Sequence, residues 1–254
     1  MDNDEKSFKF VNTYEWANIV SNVLYKNEDM HEMSDIFNVE DPAFIQIISK
    51  PCKTTLLHLL IDYIFEYYID YATRKYEYEL LKEDYEHILD EYGICYKKKD
   101  DFKGQDQWYE YVHDLEKLVL EKAKLFIVNE VFNLLFNNRV LLLDLNKQVS
   151  KVIKKIKRKK YPEILKKDGV LKRVEIPEWV KKAICFRDKN RCLFCKSDLS
   201  GTYYLRTNVS YDHIVPLEKG GANDPTNFQL LCNVCNGRKR EVVIETSDKY
   251  MSFW

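Results

Sequence analysis

Between Leu56 and Tyr92 the apolar positions recur at helical spacing. Leu56, Leu59, Leu60, Tyr63, Ile64, Tyr67 and Tyr71 form one stripe, and Tyr78, Leu81, Tyr85, Ile88, Leu89 and Tyr92 form a second. A period of 3.6 residues marks amphipathic helices with one buried face. The same pattern predicts a third helix over Trp108–Leu120 and a fourth, more apolar one over Leu125–Leu145. Breakers are rare here: Gly93 and Gly104 are the only glycines before residue 169, and Pro42 and Pro51 the only prolines before residue 162. The chain is therefore expected to open with an all-α, tyrosine-rich bundle over residues 1–146.

The pattern changes after Gly169. "TNVSYDHIV" has the β-branched and aromatic content of a short strand, and Pro216, Gly220, Gly221 and Pro225 punctuate a loop. "NFQLL" (Asn227–Leu231) predicts a second strand, and "NVCNGRKREVVIE" a helix. Two Cys-x-x-Cys knuckles, Cys192/Cys195 and Cys232/Cys235, bracket this region, separated by 36 residues. Four thiolates so arranged suit a structural zinc ion, and a closed four-sulfur site leaves any chemistry to other residues. The odd total of seven cysteines and an N-terminus lacking an apolar stretch fit a reduced, cytoplasmic setting. The segment from Leu125, interrupted by Asn129, Glu130 and Asn133, is expected to be a buried helix, with no membrane as partner.

Charge divides the chain. Residues 1–146 hold 16 Lys+Arg against 29 Asp+Glu, and residues 147–254 hold 24 against 12. The basic half is the one suited to a polyanion; the acidic half is suited to a regulatory or protein-partner role. Eight basic and no acidic residues fall between Lys147 and Lys160. Val149, Val152, Ile153 and Ile156 give this stretch a narrow apolar stripe, which predicts a cationic linker helix (147–173) carrying Lys154, Lys155, Lys157 and Arg158 to phosphates. The tyrosines of the acidic half are expected in its core and seams, not on bases.

The run D-H-I-V-P-L-x-x-G-G, followed by N-x-Q-L-L-C-x-x-C-N-x-x-K, resembles the HNH endonuclease family in its four-cysteine form. The preceding "IPEWVKKAICFRDKNRCLFC" resembles the helix that leads into the first knuckle of that family, so the likeness covers about residues 174–245. It implies a mainly α chain whose helical bundle precedes a small zinc-stapled ββα-metal nuclease domain, 174–254. It further implies that His213 is the general base, Asp212 a ligand of a catalytic Mg²⁺ or Mn²⁺, and Asn227 the residue that ties the loop and orients His213. Asn236 stands where many members carry a histidine ligand, and its amide oxygen suits a hard cation. Arg238, Lys239 and Arg240 are expected to hold phosphates, DNA in preference to RNA. An inert nucleic-acid-binding adaptor, a nuclease toxin and a defence-system effector licensed by a protein partner of the helical half are the readings that remain open. Adjacent strand residues face opposite ways, so Asp212 and His213 can share a site only if the strand bends at its end.

Overall fold

The computed structural model describes residues 12–26, 36–201, 208–240 and 243–250. The chain is mainly helical, with a small ββα region near its C-terminus. The helices are α1 (Thr13–Lys26), α2 (Pro42–Ser49), α3 (Leu56–Lys75), α4 (Tyr78–Glu91), α5 (Gln105–Leu118), α6 (Lys124–Leu135) and α7 (Arg139–Ile153). A short hairpin of β1 (Leu165–Lys167) and β2 (Val170–Leu171) follows, then α8 (Glu178–Arg187), β3 (Val209–His213), β4 (Phe228–Cys232) and α9 (Asn233–Lys239). Among the described residues no single helix is long and apolar enough to cross a membrane.

The chain forms two compact units, and they do not divide at residue 146. One takes residues 1–20 and 60–134, the other 21–59 and 135–254. The first unit is helical. Val119–Ala123 forms a π-helical turn joining α5 to α6, with Val119 and Ala123 buried. Tyr85 and Tyr111 are buried as expected, but Tyr71, Tyr76, Tyr78 and Tyr109 are exposed. The buried carboxylate of Glu130 accepts hydrogen bonds from Thr13 Oγ1 (3.0 Å) and the Tyr92 hydroxyl (2.8 Å), and Tyr111 donates to Glu86 (2.7 Å). These tyrosines thus place apolar rings inside while their hydroxyls meet the acidic side chains of the same unit.

The expected fourth helix is two helices. It stops at Leu135, and Asn138 caps α7 by accepting from Leu141 N (3.1 Å). An Asn oxygen competes with the helical ladder for backbone donors, a local effect that apolar periodicity does not register. The expected cationic linker helix is also corrected. The helix ends at Ile153, and Val149, Val152, Ile153 and Ile156 are buried in the second unit. A Cβ on Gly220 would lie 2.9 Å from Ser150 O, so the loop after β3 packs directly on α7. Lys154, Lys155, Lys157 and Arg158 remain exposed on the turns that follow.

In the second unit β3 and β4 pair antiparallel, with Asp212 opposite Gln229 and His213 opposite Phe228. Val180, Ile184, Leu193, Phe228, Leu230 and Leu231 form the core between α8 and this hairpin. Asp188, just past α8, is buried and ion-paired with Arg187; its Oδ2 accepts from Leu230 N (2.9 Å), while Arg187 donates to Phe228 O (2.7 Å). The pair thereby ties the helix end to the first and the middle residue of β4.

Candidate active site

Cys192, Cys195, Cys232 and Cys235 converge, with all four Sγ atoms within 4.8 Å of one another. Cys195 and Cys232 are 3.8 Å apart. A tetrahedron with Zn–S bonds of about 2.3 Å has edges of about 3.8 Å, the separation of that pair, so the cluster is of a size that could hold a zinc ion. Hydrogen bonds from Ser197 push the Cys195 thiol down in pKa, while burial pushes Cys192 and Cys235 up. A bound cation would offset that burial cost by favouring the thiolates. The cluster lies where α9 leaves β4: Cys232 caps the helix, its Sγ accepting from Cys235 N (3.4 Å).

Beyond the knuckles, β3 ends at His213 and the chain turns into a loop. Asn227 closes that loop. Its Oδ1 accepts from Val215 N (2.8 Å), and its Nδ2 donates to Val215 O and Ala222 O (both 2.9 Å). Gly221 has to be a glycine, because a Cβ there would sit 1.8 Å from Val215 O and 2.9 Å from Asn227 Nδ2. Asp224 is fully buried; it accepts from Thr226 N (2.9 Å) and Leu56 N (3.2 Å), and burial raises its pKa to about 7.

Asp212 and His213 both line one cleft of about 90 Å³, together with Lys166, Arg173, Glu218 and Arg240. Leaving the strand at His213 is what lets neighbours share a cavity. His213 is buried, its ring 4.7 Å from that of Phe228 and its Nε2 3.2 Å from Asn223 Oδ1. Burial, and then the charges of Arg173 and Lys239, lower its pKa to about 3, against the opposing bond to Asn223. The imidazole is therefore neutral at physiological pH, the form a base requires.

Asp212 is half-buried. Its Oδ2 accepts from Gln229 Nε2 (3.0 Å) and pairs with the Lys239 ammonium (2.8 Å). Lys239 is the one basic residue of the finger that departs from expectation. Its side chain is fully buried and also donates to His213 O (2.7 Å), so it serves the interior of the site and not a phosphate. Asn236 does not line the cleft; it is half-buried on α9, three residues before Lys239. Arg238 and Arg240 are exposed, and Arg240 alone of the two reaches the cleft.

Lys166 and Arg173 were not among the expected site residues. Lys166 lies within β1 and Arg173 just past β2, in a hairpin whose turn has Asp168 and Gly169 at its tip, with Gly169 at φ +68°. An Asp-Gly pair as a two-residue connection is a hairpin signal in its own right. Glu218 pairs with Lys166 (2.9 Å) and Lys167 (2.8 Å), fastening this hairpin to the loop after β3.

No curated protein and no solved structure matches the chain. Residues 192–241, which hold both knuckles, Asp212, His213, Asn227 and Asn236, match the family model described as HNH endonuclease, and that segment is an HNH-type domain.

Proposed function

We propose that the chain is a metal-dependent endonuclease that hydrolyses phosphodiester bonds of DNA. The observation that carries this reading is the cleft in which the neutral imidazole of His213 and the carboxylate of Asp212 lie beneath Lys166, Arg173 and Arg240. A base, a cation ligand and a cationic rim at one point are what phosphodiester hydrolysis asks of a site.

His213 takes the proton of the attacking water. Asn227 keeps the loop closed so that the imidazole stays in place, and Arg173 and Arg240 draw the phosphate towards it. Asp212 and Asn236 are oxygen donors, a hard set that fits Mg²⁺ or Mn²⁺. Among the described residues, Gln229 and Lys239 both meet Asp212 at Oδ2. When bound, the ion would supply charge neutralisation at the scissile phosphate and the leaving oxygen. Lys154, Lys155, Lys157 and Arg158 add a sequence-independent hold on the backbone. The acidic first unit is suited to a protein partner rather than to DNA, and a licensed effector of a cytoplasmic, defence-type system accommodates both halves.

One observation favours a non-catalytic, nucleic-acid-binding adaptor: Lys239 already neutralises Asp212. Supercoiled plasmid incubated with Mg²⁺, Mn²⁺ or EDTA separates the two. Metal-dependent nicking that His213→Ala abolishes is expected; salt-sensitive binding without cleavage under any metal would support the adaptor.

A further inference from the structure

His213 is the only imidazole among the described residues that line the cleft, and which of its nitrogens carries the proton decides which one can act as a base. Asn223 answers this from its own bonding. Its Nδ2 donates to two main-chain oxygens, Lys172 O (2.8 Å) and Ser49 O (3.1 Å). Turning the amide over would set Oδ1 against both carbonyls, so the orientation is determined by the backbone. Oδ1, which can only accept, then lies 3.2 Å from His213 Nε2. Nε2 must be the protonated nitrogen.

We infer that Asn223 is a second positioning residue of this site, beside Asn227: its amide, anchored on the main chain at Ser49 and Lys172, holds His213 with Nε2 protonated and leaves Nδ1 as the nitrogen that accepts a proton. The anchor is rigid. Asn223 is 1% exposed, its own N–H donates to Ile48 O (2.9 Å), and the next residue, Asp224, accepts from Leu56 N. The Phe228 ring packs against the imidazole at a tilt of 49°, so this contact and the Nε2 bond together locate the imidazole. Ile48, Ser49 and Lys172 all lie outside the residues matched by the family model. The segment around α2 is thus part of the site although no side chain of it faces the cleft. Removed from it, the Asn223 amide would keep Lys172 O and lose Ser49 O, and its backbone N–H would lose Ile48 O.

The catalytic half of this inference rests on the nuclease reading; the bonding half does not. The test uses the full chain with ¹⁵N-labelled histidine, zinc-loaded and free of Mg²⁺ and Mn²⁺. Long-range ¹H–¹⁵N correlation spectra report each tautomer, and His213→Ala assigns the peak. The expected pattern for His213 is Nε2–H with an unprotonated Nδ1. An Nδ1–H tautomer, or an averaged pair, overturns the inference without recourse to any variant. Asn223→Ala, checked for zinc content and thermal melting, should give mixed tautomers and a turnover lower by about 10–100-fold with DNA affinity unchanged. Wild-type turnover in Asn223→Ala overturns the positioning role while leaving the nuclease standing. Absence of cleavage by the wild-type chain, with the expected tautomer present and lost in Asn223→Ala, upholds the bond and removes the nuclease reading alone.

Discussion

Lys239 turns back from the end of α9 and sets its ammonium 2.8 Å from the carboxylate of Asp212 while donating to the carbonyl of His213. A lysine that counts towards the positive charge of the finger is thereby spent inside it, as a brace between α9 and the end of β3. Lysine is rarely buried without a partner, and here the partner is a cation-ligand candidate.

Lys239→Met keeps the volume and removes both interactions. DNA binding measured across salt concentrations should keep its slope, since no phosphate contact is lost. Cleavage should fall by about 10-fold or more, because Asp212 loses its alignment. A slope reduced by about one would return Lys239 to the phosphates.

The four exposed basic residues past α7 behave differently. Replacing Lys154, Lys155, Lys157 and Arg158 together by Ala should lower the salt slope by up to about four, with little change in turnover at saturating DNA. Lys157 already pairs with Asp168 (3.1 Å), so its share should be the smallest. An unchanged slope would remove this patch from the interface.

Asp224 gives the second unit a distinctive pH dependence. Its folded pKa is raised to about 7, above that of an unfolded aspartate, so the folded state binds the proton more tightly. The stability it contributes is complete below about pH 4 and declines as pH rises to about 7, at close to 1.4 kcal/mol per unit. Urea midpoints across this range should fall for the wild type and less steeply for Asp224→Asn. Parallel curves would show that Asp224 does not titrate in this window.

Gly221→Ala places a methyl group 1.8 Å from Val215 O, and the main chain must move to admit it. A loss on the order of 2–3 kcal/mol in unfolding free energy is expected, with cleavage lost as the Asn227 bonds part. Gly237→Ala is the control, because nothing lies within 4 Å of its would-be Cβ. Equal stability of the two variants would show that the loop is loosely held.

Chelation at the knuckles should unfold the finger and not merely inactivate it. Burial opposes ionisation of Cys192 and Cys235, so four clustered thiols without a cation lack what holds β4 to α9. One zinc per chain by mass or emission spectroscopy, and a melting transition lowered by strong chelator, are the expected results. A finger that melts identically with and without chelator would contradict a structural metal.

The finger could be read from the chain in large part because its chemistry is local. Cys192 to Cys235, Asp212-His213 and Asn227 lie within one short run, where strand period and turn residues dictate who meets whom. The long helices of the first unit were equally legible, since each carries its own apolar stripe. What eluded that reading depends on partners distant in sequence. α7 carries the same stripe whether it closes a bundle or supports the loop after β3, and only its packing beneath Gly220 distinguishes the two. Lys239 looks like any cation until a carboxylate some 27 positions earlier is found beside it. Asn223 has no motif of its own, and its role arises from carbonyls at positions 49 and 172. Periodicity and spacing report what a residue is near along the chain; main-chain hydrogen bonds across such separations are set by how the elements pack, and backbone carbonyls leave no mark on the identity of the residues that carry them.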